Sequence, residues 1–388
     1  MASSTMKTPL VSDMRNMHLR VDAANESWAK YSRGELTPQD FFFPSQLLGK
    51  DRIYVPHDKY EEDNEFPILD LSGCLLDHPS VGFVGQVGHG NDDELIAKKM
   101  VEAAEKWGFF GVMNHSVSIE LITRLQAHAR RFFNLPMEQK LKGGRTEKIR
   151  TGYVAGSPNF FPQKWWSEAV YFDWNPTQLQ QFFERVWSQE CDYHDIRADV
   201  LEYTAAMGKL AQRILSILAV GLGLNRDQFN RYFREESTSV LRINHYPPCP
   251  HPDKIEGLDE HRDPTLITIL HQDDVGGLQI LKDGKWVGIQ PNPETFIVNI
   301  GDILMMMSNE RFQSVMHRAV TNSSKSRMSL VFACIAVDDD VITIPEKLVD
   351  SNHPAKFIPF TWKDFRKNIY CEDRVDILFL FNSFQSRF

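Results

Sequence analysis

The stretch Leu278-Gln279-Ile280-Leu281-Lys282-Asp283-Gly284-Lys285-Trp286-Val287 decides the architecture. Asp-Gly between two apolar runs is a strong hairpin signal. Working outward, the same texture covers the chain after residue 236. Short runs rich in Val, Ile, Leu and Thr alternate with Pro247-Pro248, Asp273-Asp274, Gly276-Gly277, Gly301-Asp302 and Asn322-Ser323. Strands this short and this closely spaced predict a sandwich or jelly-roll barrel rather than βαβ units.

Upstream, the periodicity is helical. Leu95, Ile96, Met100, Ala103, Ala104 and Trp107 follow a helix spacing, with Asn91 to Asp93 as capping side chains. Phe109 to Met113 reads as a short strand. Helices are predicted over about Ile119–Phe133 and Arg197–Leu222, the first stopping before Pro136 and the second at Gly221-Leu222-Gly223. Residues Phe66 to Leu71 read as strand-like, and glycine-rich Val81 to Asp92 as a loop. The expected organisation is α+β. A loosely packed N-terminal extension (1–64) precedes a helix-rich domain (65–235), a jelly-roll core (236–340) and a C-terminal helical tail (341–388).

With 42% hydrophobic and 24% charged residues, the composition is that of a folded soluble protein. A net charge of −9 gives no electrostatic footprint for nucleic acid. No apolar run is long enough to span a bilayer, so no membrane partner is expected. The first twenty residues hold no apolar signal core. Ser3, Ser4 and Thr5 leave an organelle transit sequence open, and Asp13 opposes it. Cys74, Cys191, Cys249, Cys334 and Cys371 are odd in number and widely spaced, which predicts reduced thiols in the cytoplasm rather than a disulfide framework. A monomer is compatible with the sequence, which carries no signal for oligomerisation.

The chemistry lies in the β region. His261 and Asp263 are two residues apart, so on a strand both side chains leave one face. His317 follows fifty-four residues after Asp263, far enough for a barrel to bring it back beside the pair. Two imidazoles and one carboxylate suit non-haem iron(II), and they satisfy zinc as well. Arg327 and Ser329 repeat the same spacing at the head of the apolar run Leu330 to Ile335. A guanidinium aimed into a barrel needs an anion, and a carboxylate matches it in bidentate fashion. An internal Asp or Glu is one such partner. With the triad upstream, a dicarboxylate bridging metal and arginine is the better account.

These motifs closely resemble those of the plant-type 2-oxoglutarate- and iron(II)-dependent dioxygenases, over roughly residues 66 to 340. The resemblance rests on His261-Arg262-Asp263, His317, Arg327-Met328-Ser329 and Asn244-His245-Tyr246-Pro247-Pro248-Cys249. In the N-terminal half it rests on Pro67 to Ser72, on Trp107 to Phe110 with Asn114-His115, and on Phe132 to Pro136. It implies a double-stranded β-helix core with iron on His261, Asp263 and His317. It also implies 2-oxoglutarate held by Arg327, Ser329 and Tyr246, with Asn244 near it, and a place for ascorbate in vitro. The implied reaction is hydroxylation or oxidation of a small organic substrate with release of succinate and CO2. His115 and His245 are expected to be structural.

Within that family the chain is most similar to the gibberellin oxidases, chiefly the 20-oxidases and the 2-oxidases of C20 precursors. Trp166 to Phe172 resembles the Leu-Pro-Trp-Lys-Glu-Thr segment of the 20-oxidases, with Lys164, Trp165 and Ser167 as departures. A diterpenoid carboxylate is therefore the first expectation, with flavonoid, alkaloid and auxin-like acid substrates as alternatives. A family member independent of 2-oxoglutarate, and a zinc hydrolase or binding protein, are the further alternatives. Tyr153, Trp166 and Phe172, within an aromatic-rich segment, are the expected substrate wall.

Overall fold

In a computed structural model, which describes residues 25–41, 65–72, 91–146, 150–156, 165–233 and 239–369, local signals account for most elements. The first half holds helix α1 (25–32), strand β1 (Ile68–Asp70), α2 (Asn91–Lys106) and β2 (Phe109–Met113). It continues through α3 (Ile119–Phe133), α4 (Met137–Lys142), β3 (Gly152–Ala155), β4 (Glu168–Asp173), α5 (Pro176–Val186) and α6 (His194–Gly221). Ser118 caps α3 by accepting from the Leu121 amide, and Asn175 caps α5 ahead of Pro176 in its first turn.

The second half is β5 (Ser239–Tyr246), β6 (Glu256–His261), β7 (Ile267–Gln272), β8 (Leu278–Lys282), β9 (Lys285–Gly288), β10 (Phe296–Ile300), β11 (His317–Val320) and β12 (Arg327–Cys334). The β8–β9 turn has positive φ at Asp283 and Gly284, the tight hairpin that Asp-Gly predicts. Eight strands form one sheet in the order β1-β2-β10-β7-β12-β5-β4-β3, and four form a second, β6-β11-β8-β9. This is the mixed jelly-roll architecture expected. Helix α6, buried along most of its length, packs against α2, α3 and strands β7 and β12. The core lies between the helices and the large sheet.

Three features depart from the expected organisation. Strands β1 to β4 precede residue 236 yet belong to the large sheet, so the segments on either side of the boundary expected at 235/236 share one sheet. Residues 25–41 are not loosely packed: Trp28 and Phe41 are buried and, with Tyr31, surround Trp166 at ring-centroid distances of 5.0 to 5.4 Å. Of the C-terminal tail, the strand pair Val341–Ile342 and Phe360–Thr361 precedes the helix Trp362–Ile369. The apolar run Ile377 to Phe381 lies outside the described residues.

Trp166 joins three parts of the chain. Its indole N–H donates to the carbonyls of Pro247 and Pro248, at 3.1 and 3.2 Å, while its ring meets the residues from 25–41. Trp166→Ala is expected to lower the unfolding free energy by about 3–5 kcal/mol in denaturant titration. A loss under about 1 kcal/mol would contradict its central place in the packing.

Candidate active site

Strand periodicity builds the site. On β5, Arg242, Asn244 and Tyr246 alternate with Ile243 and His245, and all three face one cavity between the two sheets. On β12, Arg327, Ser329 and Val331 do the same. The register sets Arg327 opposite Tyr246, Ser329 opposite Asn244 and Val331 opposite Arg242. From the second sheet, β6 and β11 bring His261 directly opposite His317. Asp263 follows β6 and completes the triad: its Oδ1 lies 3.6 Å from His261 Nε2 and 3.8 Å from His317 Nε2.

The surroundings fix which atoms converge. His261 Nδ1–H donates to the Asp259 carbonyl (2.8 Å) and His317 Nδ1–H to the Val315 carbonyl (3.1 Å). Both Nε2 atoms are thereby left as lone-pair donors facing inward, the hydrogen-bonding pattern of metal-binding histidines. Asn299 on β10 donates to Asp263 Oδ2 at 2.9 Å, leaving Oδ1 towards the imidazoles. Burial and the neighbouring His317 hold the His261 pKa well below its ordinary value, so the ring is neutral, as a ligand must be. Burial favours the protonated form of Asp263, but His317, His261 and hydrogen bonds from Thr268 and Asn299 outweigh it and lower its pKa. Among the described residues, this is the cluster whose donor atoms, all within 4.8 Å of one another, are able to hold a metal ion.

Arg327 is 2% exposed. One of its amino groups donates to Gln272 Oε1 at 2.9 Å, and its guanidinium covers the Tyr246 ring at 5.1 Å. Its Nε and Nη1 are buried with no protein partner, as is Asn244 Oδ1. Asn244 Nδ2 donates to Ser329 Oγ at 3.1 Å. A buried guanidinium with two unmatched nitrogens, next to a serine and a tyrosine, fits a carboxylate. The donor set of the triad fits iron(II).

The structure thus brings together His261, Asp263, His317, Arg327, Ser329, Tyr246 and Asn244. It does not bring in the three expected aromatics. Tyr153 and Trp166 are core residues, and Phe172 packs against Phe182 and Phe183. None of the three lines the cavity. Tyr153 instead donates to Glu168 at 2.6 Å. That carboxylate, 4% exposed, also accepts from Lys140 Nζ (2.6 Å) and His245 Nδ1 (2.9 Å). Burial alone would raise the pKa of Glu168, but His245 and Lys140 hold it below its ordinary value. His245 stacks on Phe133 at 5.0 Å, and His115 packs on Phe296 at 4.4 Å, so both are structural.

Comparison with known proteins agrees with this geometry. The description 2OG-Fe(II) oxygenase superfamily matches residues 237–336, and that of a non-haem dioxygenase in morphine synthesis N-terminal region matches residues 66–190. Gibberellin 20 oxidase 1 of Arabidopsis thaliana is 34% identical over 88% of this chain and 90% of its own length. The chain belongs to the 2OG-Fe(II) oxygenase superfamily. Gibberellin 20 oxidase 1-A of Triticum aestivum is 35% identical over 85% of this chain and 88% of its own. The crystal structure of JOX2 in complex with 2OG, Fe and JA aligns with a TM-score of 0.71 and 30% identity, over 98% of this chain and 99% of that one. The rice dioxygenase for auxin oxidation aligns at 0.63 and 27%, over 78% and 94%. As an oxygenase of this superfamily the chain uses iron(II) and 2-oxoglutarate on a small-molecule substrate. The zinc alternative falls away.

Sequence reasoning missed two glycines that make room for Arg327 and Tyr246. A Cβ on Gly277 would sit 2.8 Å from Arg327 Cδ and 2.9 Å from the Val320 carbonyl. One on Gly257 would sit 2.8 Å from the Tyr246 ring. Read as a turn signal, Gly276-Gly277 concealed the second role. Gly277→Ala is expected to weaken 2-oxoglutarate binding about tenfold, as for ~1.4 kcal/mol of lost contact, while iron binding is retained. Equal loss of both in equilibrium titrations would mean that the barrel, not the arginine, has moved.

Proposed function

We propose that this chain oxidises a carboxylated diterpenoid, a gibberellin or a gibberellin precursor, at iron(II) held by His261, Asp263 and His317. Arg327, Ser329, Tyr246 and Asn244 grip the 2-oxoglutarate. The observation that carries the co-substrate assignment is the unmatched pair Nε and Nη1 of buried Arg327, facing the same cavity as the triad. The substrate class is supported by gibberellin 20 oxidases of 33 to 35% identity along most of the chain. The rice auxin oxidase makes an auxin-like acid the second reading.

Iron(II) with 2-oxoglutarate supplies the oxidising chemistry: one O2 is consumed, the keto acid leaves as succinate and CO2, and one oxygen atom is delivered to a substrate C–H bond. The protein's part is placement. The carbonyls of Asp259 and Val315 hold both imidazoles in one tautomer, and Asn299 turns the Asp263 carboxylate towards them. Arg327 fixes the far carboxylate of the co-substrate and so sets the reach of its other end. Phe109, Leu258, Leu270, Leu278 and Ile297 line the cavity with apolar surface that excludes water. Free thiols at buried Cys249 and Cys334 support a cytoplasmic location. Among the described residues, no helix is long and apolar enough to cross a membrane.

His317→Ala is expected to lose iron binding and turnover together, measured by metal content and succinate release. Full activity in that variant would remove the triad assignment. Arg327→Met is expected to raise the KM for 2-oxoglutarate ten- to hundredfold, the range for a charge-assisted contact. An unchanged KM would contradict the clamp. The substrate reading predicts that C20 gibberellin acids stimulate succinate release above the substrate-free rate, and that indole-type acids do so less. The opposite ranking would favour the auxin-like reading.

A further inference from the structure

Arg242 is a cavity cation that the roles above leave unused. It points into the cavity from β5, two residues before Asn244 on the same face. Its Nε is buried and has no hydrogen-bond partner. Among the described residues its guanidinium forms no ion pair, and it lies against the Tyr171 ring at 5.1 Å. An unmatched guanidinium nitrogen at such a depth costs free energy unless something arrives to accept from it.

The co-substrate is poorly placed to do so. Arg242 stands four residues along β5 from Tyr246, the residue that Arg327 covers. At the rise of an extended strand this is roughly 13 Å, so the two arginines serve different stretches of the cavity. Charge balance points the same way. Of the lining residues, Asp263 alone is acidic, against Arg242, Arg318 and Arg327. Arg318 is held by Gln279 (2.8 Å) and lies over Trp286 at 4.0 Å. With iron(II) and the 2-oxoglutarate dianion in place, the metal and three guanidiniums exceed the available negative charge by two. A cavity with that surplus favours an anionic substrate over a neutral one.

We propose that Arg242 anchors a carboxylate of the organic substrate, making it a determinant of specificity for acids over their neutral analogues. The Nε edge of a guanidinium offers two parallel N–H donors matched to the two oxygens of a carboxylate, a fit that lysine does not reproduce. The assignment rests on the reading of the chain as an oxygenase of carboxylated diterpenoids, and deepens it by naming the group that is recognised.

The test is anaerobic calorimetry on the protein loaded with iron(II) and 2-oxoglutarate, so that binding is read without turnover. The probes are a C20 gibberellin acid and its fully methylated ester, against the wild type, Arg242→Met and Arg242→Lys. The wild type is expected to prefer the acid ten- to hundredfold. Arg242→Met loses that preference by binding the acid correspondingly more weakly, and Arg242→Lys recovers part of it. Affinity for 2-oxoglutarate stays the same in all three, which also reports that each variant is folded. If Arg242→Met fails that control, Arg242→Lys, which keeps the charge but not the forked edge, carries the comparison. An acid-over-ester preference that survives the substitution, or a wild type that binds both forms equally, overturns the assignment and leaves the diterpenoid reading standing. A wild type that binds 2-oxoglutarate but neither probe overturns the diterpenoid reading and this assignment with it.

Discussion

A guanidinium buried to 2% exposure, with two of its nitrogens unmatched by protein, is tolerable only where an anion completes it, and Arg327 is such a group. Much of the barrel is arranged to hold it. Gln272 takes one amino group, the Tyr246 ring lies beneath the guanidinium, and Gly277 leaves out the side chain that would otherwise fill its space. Asp273 accepts from the Met328 and Val275 amides, at 2.6 and 3.0 Å, and so ties the adjoining loop to the start of β12. The metal triad faces the same cavity from the second sheet. On the roles proposed above, co-substrate binding is a question of the distance between a fixed cation and a fixed set of metal ligands.

The alternation of β5 gives that strand two tasks. One face carries Arg242, Asn244 and Tyr246 to the cavity, while the other carries His245 to Glu168. Glu168 lies opposite His245 in the β4–β5 register, and Lys140 reaches it from α4 while donating also to the Phe133 carbonyl at 3.0 Å. A buried carboxylate with three donors has little freedom, so the helical half of the chain holds the back of the strand whose front lines the cavity. The helices and the barrel are one structure for this reason, in addition to the shared sheet.

Features governed by short periodicities were legible in the sequence. The i, i+2 spacing of Arg327 with Ser329 places that pair on one face of β12, whereas β6 ends at His261 and Asp263 reaches the same cavity from the segment that follows, so the expected pairing on one strand holds for the first pair and not for the second. The Asp283-Gly284 hairpin and the ends of α3 fall where local chemistry puts them. Illegible were the properties that depend on which surface covers which. Tyr153, Trp166 and Phe172 have the composition of a substrate wall, yet the N-terminal segment packs over Trp166 and α5 over Phe172. Their aromatic content carried no record of that cover. Arg242 lies amid an ordinary apolar strand, and its role is visible only once Val331 and Tyr171 are its lateral neighbours and no acid among the described residues pairs with it. Gly277 looks like a turn residue until the path of Arg327 is known.

All of this turns on the proposal that one cavity holds iron(II) on His261, Asp263 and His317 while Arg327 secures 2-oxoglutarate against it. Anaerobic addition of iron(II) and 2-oxoglutarate to the purified protein, followed in the visible range, tests that arrangement without intermediaries. The expected result is a charge-transfer band that requires both additions, is absent in Asp263→Ala, and in Arg327→Met develops only at much higher 2-oxoglutarate. Folded wild-type protein that binds iron yet shows no band, or an Asp263→Ala variant that shows it unchanged, would contradict it.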